Sequence, residues 1–336
     1  MNRETTLIVT SIHAPNTAMR ALAGGCEAHG WKMIVAGDTK SPADFNLAGC
    51  RFLSTDAQRE LGFALGALAP ERSYTRKNLG YLAAMADGAR VLVETDDDNH
   101  PRESFWQTRE ESVDCRHVET RDWVNAYRYF TDHFIYPRGL PLVVARCGVP
   151  DAVRTATVTC PIQQGLADED PDVDAVYRML HPLPFRFSPD ASPVMLGPGA
   201  WCPFNSQNTT FFESVLPLMY LPAHCSFRMT DIWRSFVAQR VLHARGRGVL
   251  FHGPTVWQER NEHDLMRDFQ EETVGYLHNA AIRETLEATP LPASMGVRTQ
   301  VETCYQQMIR NGWIGADEEL LLQAWFNDLE AIGIPS

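Results

Sequence analysis

Through the first hundred residues, short apolar runs alternate with stretches whose apolar residues recur every three or four positions. Residues 7–10 are such a run, and residues 18–29 set Met19, Leu22 and Cys26 at helical spacing. A second strand is predicted over 31–36, ended by Gly37 and Asp38, and a short third one at Phe52 and Leu53. Ser54, Thr55 and Asp56 then supply N-cap chemistry for a helix. Residues 73–87 predict a longer helix with Leu79, Leu82, Ala83 and Ala86 on one face. The next apolar run, 89–95, predicts a buried strand that stops abruptly in Asp96, Asp97 and Asp98. This alternation implies an α/β fold built on a doubly wound, mostly parallel sheet.

Beyond residue 100 the pattern loosens. Over 101–150 it is irregular, and Trp106, Trp123, Tyr127, Tyr129, Phe130, Phe134 and Tyr136 crowd together, as core packing or as a sugar platform. Cys160 opens a short strand, followed by a polar segment over 163–177. The proline-rich stretch 182–203 reads as a surface loop. A helix is predicted over 231–244 from Ile232, Phe236, Val237, Val241 and Leu242, then a strand over 249–251. From Asp264 onward the chain reads as helical to its end. Its strongest stripe (Leu320, Leu321, Leu322, Trp325, Phe326, Leu329) suits intramolecular packing, with a homodimer face as the alternative.

Composition narrows the classes. The 336 residues are 44% hydrophobic, enough for a substantial core. A formal net charge of -12 argues against nucleic acid and anionic membrane as partners, because both demand a positive footprint. An anionic substrate must therefore meet a local basic patch. The eight cysteines include no Cys-x-x-Cys pair, so neither a zinc ribbon nor a disulfide framework is expected. No apolar run approaches the roughly 20 residues that span a bilayer. Residues 1–4 lead directly into the first strand and leave no room for a signal peptide. A soluble, cytoplasmic protein is the expectation.

The acidic strand end carries the chemistry. Three adjacent carboxylates repel one another unless a cation joins them, and hard oxygen ligands suit Mn²⁺ or Mg²⁺. Such an edge is also where α/β sheets bind nucleotides. In an extended segment Asp96 and Asp98 would point one way and Asp97 another. A second register uses Glu94 and Asp96, with Glu94 free to meet a ribose hydroxyl. Upstream, Arg76 and Lys77 stand in the first turns of a helix, against the dipole's preference, and a bound anion would remove that conflict. Thr10 ends the first strand, while Asp38 and Lys40 follow the second; Asp38 reads as a ribose or base ligand, or as a turn residue. Asp168, Asp170, Asp172 and Asp174 form a second acidic cluster, suited to sugar hydroxyls or to capping a helix. Asp231 is an N-cap by position, and a general base for an acceptor hydroxyl by chemistry. His252 and His263 compete as an imidazole ligand to the metal, against ordinary packing roles.

Taken in order, these residues resemble the STELLO family of glycosyltransferases. The resemblance rests on Gly30 and Trp31 with residues 37–42, on residues 74–82 (including Arg76, Lys77 and Asn78), and on residues 94–99. It continues more loosely through 164–174 and 258–261. It implies a GT-A architecture over residues 1–275, with a nucleotide-sugar half of about 1–100 and an acceptor half of about 101–275, and a helical extension over 276–336. It also implies a metal and diphosphate site at 96–98 and a donor-site helix carrying Arg76 and Lys77. The plant members carry a membrane anchor and work in the Golgi; no anchor is read here. The expected activity is metal-dependent transfer of a sugar from a nucleoside diphosphate, uridine-linked by preference, to a glycan or lipid-linked glycan. The rivals are a metal-dependent phosphohydrolase and a non-catalytic nucleotide-sugar-binding scaffold. Asn99, His100 and Pro101 supply none of the small hydroxyl residues a haloacid-dehalogenase-like phosphatase wants after its aspartates.

Overall fold

The structure, a computed structural model, describes residues 5–152, 154–261 and 264–336. The amino-terminal part runs β1 (Thr5–Thr10), α1 (Thr17–His29), β2 (Lys32–Ala36), β3 (Arg51–Leu53), α2 (Thr55–Glu60), α3 (Ala64–Leu68), α4 (Lys77–Ala86) and β4 (Val91–Thr95). Its strands lie in the order β3-β2-β1-β4 and all pair parallel. Both faces are covered. Leu7 and Val9 pack with Met19, Leu22 and Cys26 of α1, while Ile8 packs with Leu79 and Leu82 of α4. Strands buried on both faces favour apolar residues at successive positions, which is why residues 7–9, 33–36 and 91–93 read as continuous runs. Since β2 and β3 lie to one side of β1 and β4 to the other, the chain reverses direction across the sheet between β1 and β4. Crevices at such switch points are where open α/β sheets take ligands.

The central part adds β5 (Asn99–Pro101), β6 (Ser112–Val118), β7 (Arg154–Thr159), β8 (Ile162–Asp168), α5 (Ala175–Leu180), β9 (Val194–Leu196), β10 (Asn208–Phe212), α6 (Thr230–Ala244) and β11 (Val249–Gln258). The sheet continues as β10-β8-β11-β9-β6-β7, with β5 on β11. Antiparallel pairing enters with β10, which joins β4 to β8. Then follow α7 (Leu265–Ala288), α8 (Val297–Arg310) and α9 (Glu318–Ala331). Residue 275, the expected boundary, lies inside α7, which runs unbroken past it. The carboxyl-terminal helices are tied back to the sheet layer. Asp328 of α9 accepts from the backbone N–H of Ala64 and Leu65 (2.7 and 2.9 Å), capping α3, whose own N-cap residue, Phe63, makes no side-chain cap. Among the described residues no helix is long and apolar enough to cross a membrane, and all eight cysteines are free.

Several local expectations are corrected. The helix over 73–87 begins as a 3-10 turn, Tyr74–Arg76, and α4 is buried from Lys77 through Met85 rather than along one face; Ala86 is exposed. The irregular 101–150 segment contains β6, and the proline-rich "surface loop" contains β9 and a fully buried tract over 200–204. The polar start of the 163–177 segment is strand, because Gln164 Oε1 accepts from Asn205 N and Thr209 Oγ1 (2.8 and 3.0 Å) and so keeps its amide satisfied inside the sheet. β11 runs ten residues rather than three, with a register shift between His252 and Val256. Asp231 lies in the first turn of α6, not at its N-cap, which is Met229. Leu320 faces solvent, outside the buried stripe of α9.

Candidate active site

A cleft of about 440 Å³ opens at the carboxyl ends of β1, β2 and β4, at the switch point. Asp96, Asp97 and Asp98 line it together, in a turn directly after β4. The alternation expected of an extended segment does not apply there, because the strand has already ended. Each carboxylate is held by a different element. Tyr74 donates to Asp96 (3.2 Å), and the Lys77 ammonium lies 3.7 Å from it. Ser11 donates to Asp97 at 2.5 Å. Gln258 and Asn261 donate to Asp98 at 2.9 and 3.2 Å. Burial pushes the Asp96 carboxyl up to about 7; Lys77 opposes the shift, whereas the charges of Asp98, Asp97 and Asp231 add to it. Asp97 is also raised, by burial first, with the Ser11 hydrogen bond opposing.

The wall beyond β4 is built around Arg138. Its guanidinium bridges Asp172 (2.8 and 2.9 Å) and Asp231 (2.9 and 3.1 Å), and all three residues line the cleft. Burial alone would raise the Asp231 carboxyl, but Arg138 outweighs it, with Arg234 and Arg228 adding, and holds it below the ordinary carboxylate range. Such a group is ionised and a weak base. Arg228 pairs with Glu272 at 2.8 Å, and Arg260 with Asp268 at 2.8 Å. The opposite rim carries Thr10, Asp38, Lys40, Arg72 and Arg76.

Other sequence candidates are committed to internal partners, and among them Glu94, Lys77, Asn78, Asp168, Asp170, Asp174 and His252 do not line the cleft. Glu94 is sealed against Arg234 (2.6 and 3.0 Å) and Tyr81, so no ribose reaches it. Lys77 is wholly buried, donating to Tyr74 and to the Thr95 carbonyl (2.8 and 3.0 Å); it supports the acidic turn from behind. Asn78 clamps the backbone N–H and C=O of Leu221. Asp174 is the N-cap of α5 and accepts from Tyr136, and Asp168 and Asp170 pair with Arg102 and Arg178. His252 bonds the Gly253 carbonyl, with burial and then Arg109 pulling its pKa down to about 4. His263 lies outside the described residues. Arg76 lines the cleft, yet its guanidinium donates to Gln58 and to the carbonyls of Ala69 and Pro70, which resolves the helix-dipole conflict without an anion. Asp38 spends its carboxylate on three backbone N–H groups: Thr39, Arg72 and Ser73.

Sequence reasoning missed Arg138, Arg72, Arg228 and Phe227. Arg138 sits in the irregular aromatic stretch, where no periodicity marks it; a lone arginine beside Gly139 among apolar neighbours was the one available signal. Among the described residues no three His, Cys, Asp or Glu side chains converge as a ready-made cation cage.

Residues 228–335 match the family model of STELLO glycosyltransferases. "Probable glycosyltransferase STELLO2" of Arabidopsis thaliana is 32% identical over 257 residues, covering 70% of this chain and 33% of that protein. "Probable glycosyltransferase STELLO1" of the same plant is 28% identical over 349 aligned positions, covering 97% of this chain and 44% of that protein. The chain thus spans less than half the length of either relative. Among solved structures, one titled "Crystal Structure of a Mycobacterial Protein" superposes with a TM-score of 0.45 at 10% identity, over 84% of this chain and 74% of that one.

Proposed function

From a chain that belongs to the STELLO family of glycosyltransferases, we propose a glycosyl transfer in this cleft, from a nucleoside diphosphate sugar, uridine-linked by preference, to a hydroxyl of a glycan or lipid-linked glycan. One observation carries the reading: three carboxylates at the end of β4 share a switch-point cleft with a cationic rim. The donor is assigned to the side built by residues 1–100, and the acceptor to the side built by 101–275.

Asp96 and Asp98 are the residues that would hold Mn²⁺ or Mg²⁺, with Asp97 beside them. The fit rests on charge. Burial first, and then the neighbouring charges of Asp98, Asp97 and Asp231, disfavour the ionised Asp96 carboxyl, a cost that a dication relieves. A closed cage is not needed, because these ions complete their shells with water and phosphate oxygens. When bound, the ion supplies charge neutralisation to the departing diphosphate. The chain's own residues do the rest. Tyr74, Ser11, Gln258 and Asn261 fix the three carboxylates in place, so little reorganisation accompanies binding. Asp172 and Asp231, each gripped by Arg138 through both carboxylate oxygens, line the cleft as acceptors whose remaining lone pairs suit sugar hydroxyls. Asp231, held ionised by a guanidinium, orients rather than deprotonates.

Nucleotide sugars presented with Mn²⁺ and a panel of glycan acceptors test this, with product read by mass spectrometry. Transfer by the wild type and its loss in Asp96→Ala are expected. Transfer by the variant at the wild-type rate, with the same metal dependence, would refute the assignment.

A further inference from the structure

Resting on that reading, we infer that Arg72 grips the phosphates of the donor and that Asp38 is its positioning residue. Five arginines line the cleft: Arg72, Arg76, Arg138, Arg228 and Arg260. Four are internally engaged: Arg138 by two aspartates, Arg228 and Arg260 by Glu272 and Asp268, Arg76 by Gln58 and two carbonyls. Arg72 differs. Its side chain is exposed, and among the described residues its guanidinium has neither a carboxylate nor a carbonyl partner. A planar fork of this kind matches two phosphate oxygens at once.

Backbone geometry points the same way. Arg72 has φ 54°, in the left-handed region that residues with a Cβ rarely adopt. Such a conformation persists only where the surroundings impose it, and it concentrates at ligand-gripping sites. Here the imposing group is Asp38, at the end of β2, whose two oxygens accept from the backbone N–H of Arg72 (2.9 Å) and Ser73 (2.8 Å). The carboxylate expected to read a ribose instead bends the 71–73 loop over the cleft and presents a cation there. Charge balance requires one. A dication at the acidic turn is largely spent on the aspartates, so a diphosphate's remaining negative charge needs a second positive group, which Arg72 provides, with Lys40 also lining the cleft.

The test is calorimetry of UDP and of inorganic pyrophosphate, each with Mn²⁺, on the wild type, Arg72→Ala, Arg72→Lys, Arg72→Gly and Asp38→Asn. Arg72→Ala weakens both ligands about tenfold to hundredfold, with Arg72→Lys in between. Arg72→Gly loses the same affinity while keeping or raising the melting temperature, since glycine relieves the positive φ; a merely structural arginine would not separate the two readouts. Asp38→Asn weakens binding, and added to Arg72→Ala it weakens it no further. Wild-type affinity in Arg72→Ala overturns this inference alone. Failure of the wild type to bind either ligand defeats the donor reading, and this inference with it.

Discussion

Glu94 and Arg234 meet in a two-pronged ion pair of 2.6 and 3.0 Å, with side chains 0% and 1% exposed. Glu94 stands two residues before the acidic turn, so the pair fixes the end of β4 to α6 and with it the position of Asp96. Removing one partner of a buried pair strands the other charge, at a cost of about 3–5 kcal/mol. Arg234→Met is expected to lower unfolding stability by that amount in a urea titration. A loss below about 1 kcal/mol would mean that Glu94 is relieved by protonation or by Tyr81 alone.

Asp231 offers a test of base against positioning residue. With Asp172 still holding Arg138, Asp231→Asn is expected to slow transfer about tenfold to hundredfold, through misplacement of the Arg138 wall. The acid limb of the pH–rate profile is expected to stay where it is. Disappearance of that limb would make Asp231 the base.

The Asp96 carboxyl gives a pH signature. Its folded pKa, about 7, lies above the ordinary 3.8, so between those values the folded chain holds a proton that the unfolded chain has released. Its contribution to stability is therefore lost as pH rises through that window. Relative to wild type, Asp96→Asn is expected to melt higher at pH 8, with the difference shrinking towards pH 4. Mn²⁺ should stabilise the wild type more at pH 8 than at pH 5, where the proton competes for the same oxygen. Equal metal shifts at both pH values would remove Asp96 from the site.

The Asp328 cap is the long-range contact most open to surgery. Asp328→Ala strips the two N–H groups of α3 of their acceptor and is expected to cost about 1–2 kcal/mol. Hydrogen exchange should quicken at the Ala64 and Leu65 amides. Unchanged exchange there would show that water replaces the carboxylate without loss.

The acidic turn was legible because its cause is local. An apolar β-branched run with no polar phase has to be buried on both faces, and a run of carboxylates cannot follow it inside. Helical spacing likewise announced α1 and the buried part of α4. The same logic failed for β8 and β10, whose Gln163, Gln164, Asn208 and Thr209 are polar yet buried, because the fold brings them hydrogen-bond partners: the Glu110 and Cys160 carbonyls for Gln163, and bonds between β8 and β10 for Gln164, Asn208 and Thr209.

By itself, then, the sequence determined the parallel α/β unit and the place where its fourth strand breaks into negative charge. Tertiary structure alone decided which polar groups face the cleft. Glu94 turns away to an arginine 140 residues further on, Lys77 sinks beneath Asp96, and Asp38 holds the loop that brings Arg72 to the cleft. Periodicity reports whether a position is wet or dry. Whether a charge there stays available depends on the partner the fold brings to it, because a buried ion persists only when paired.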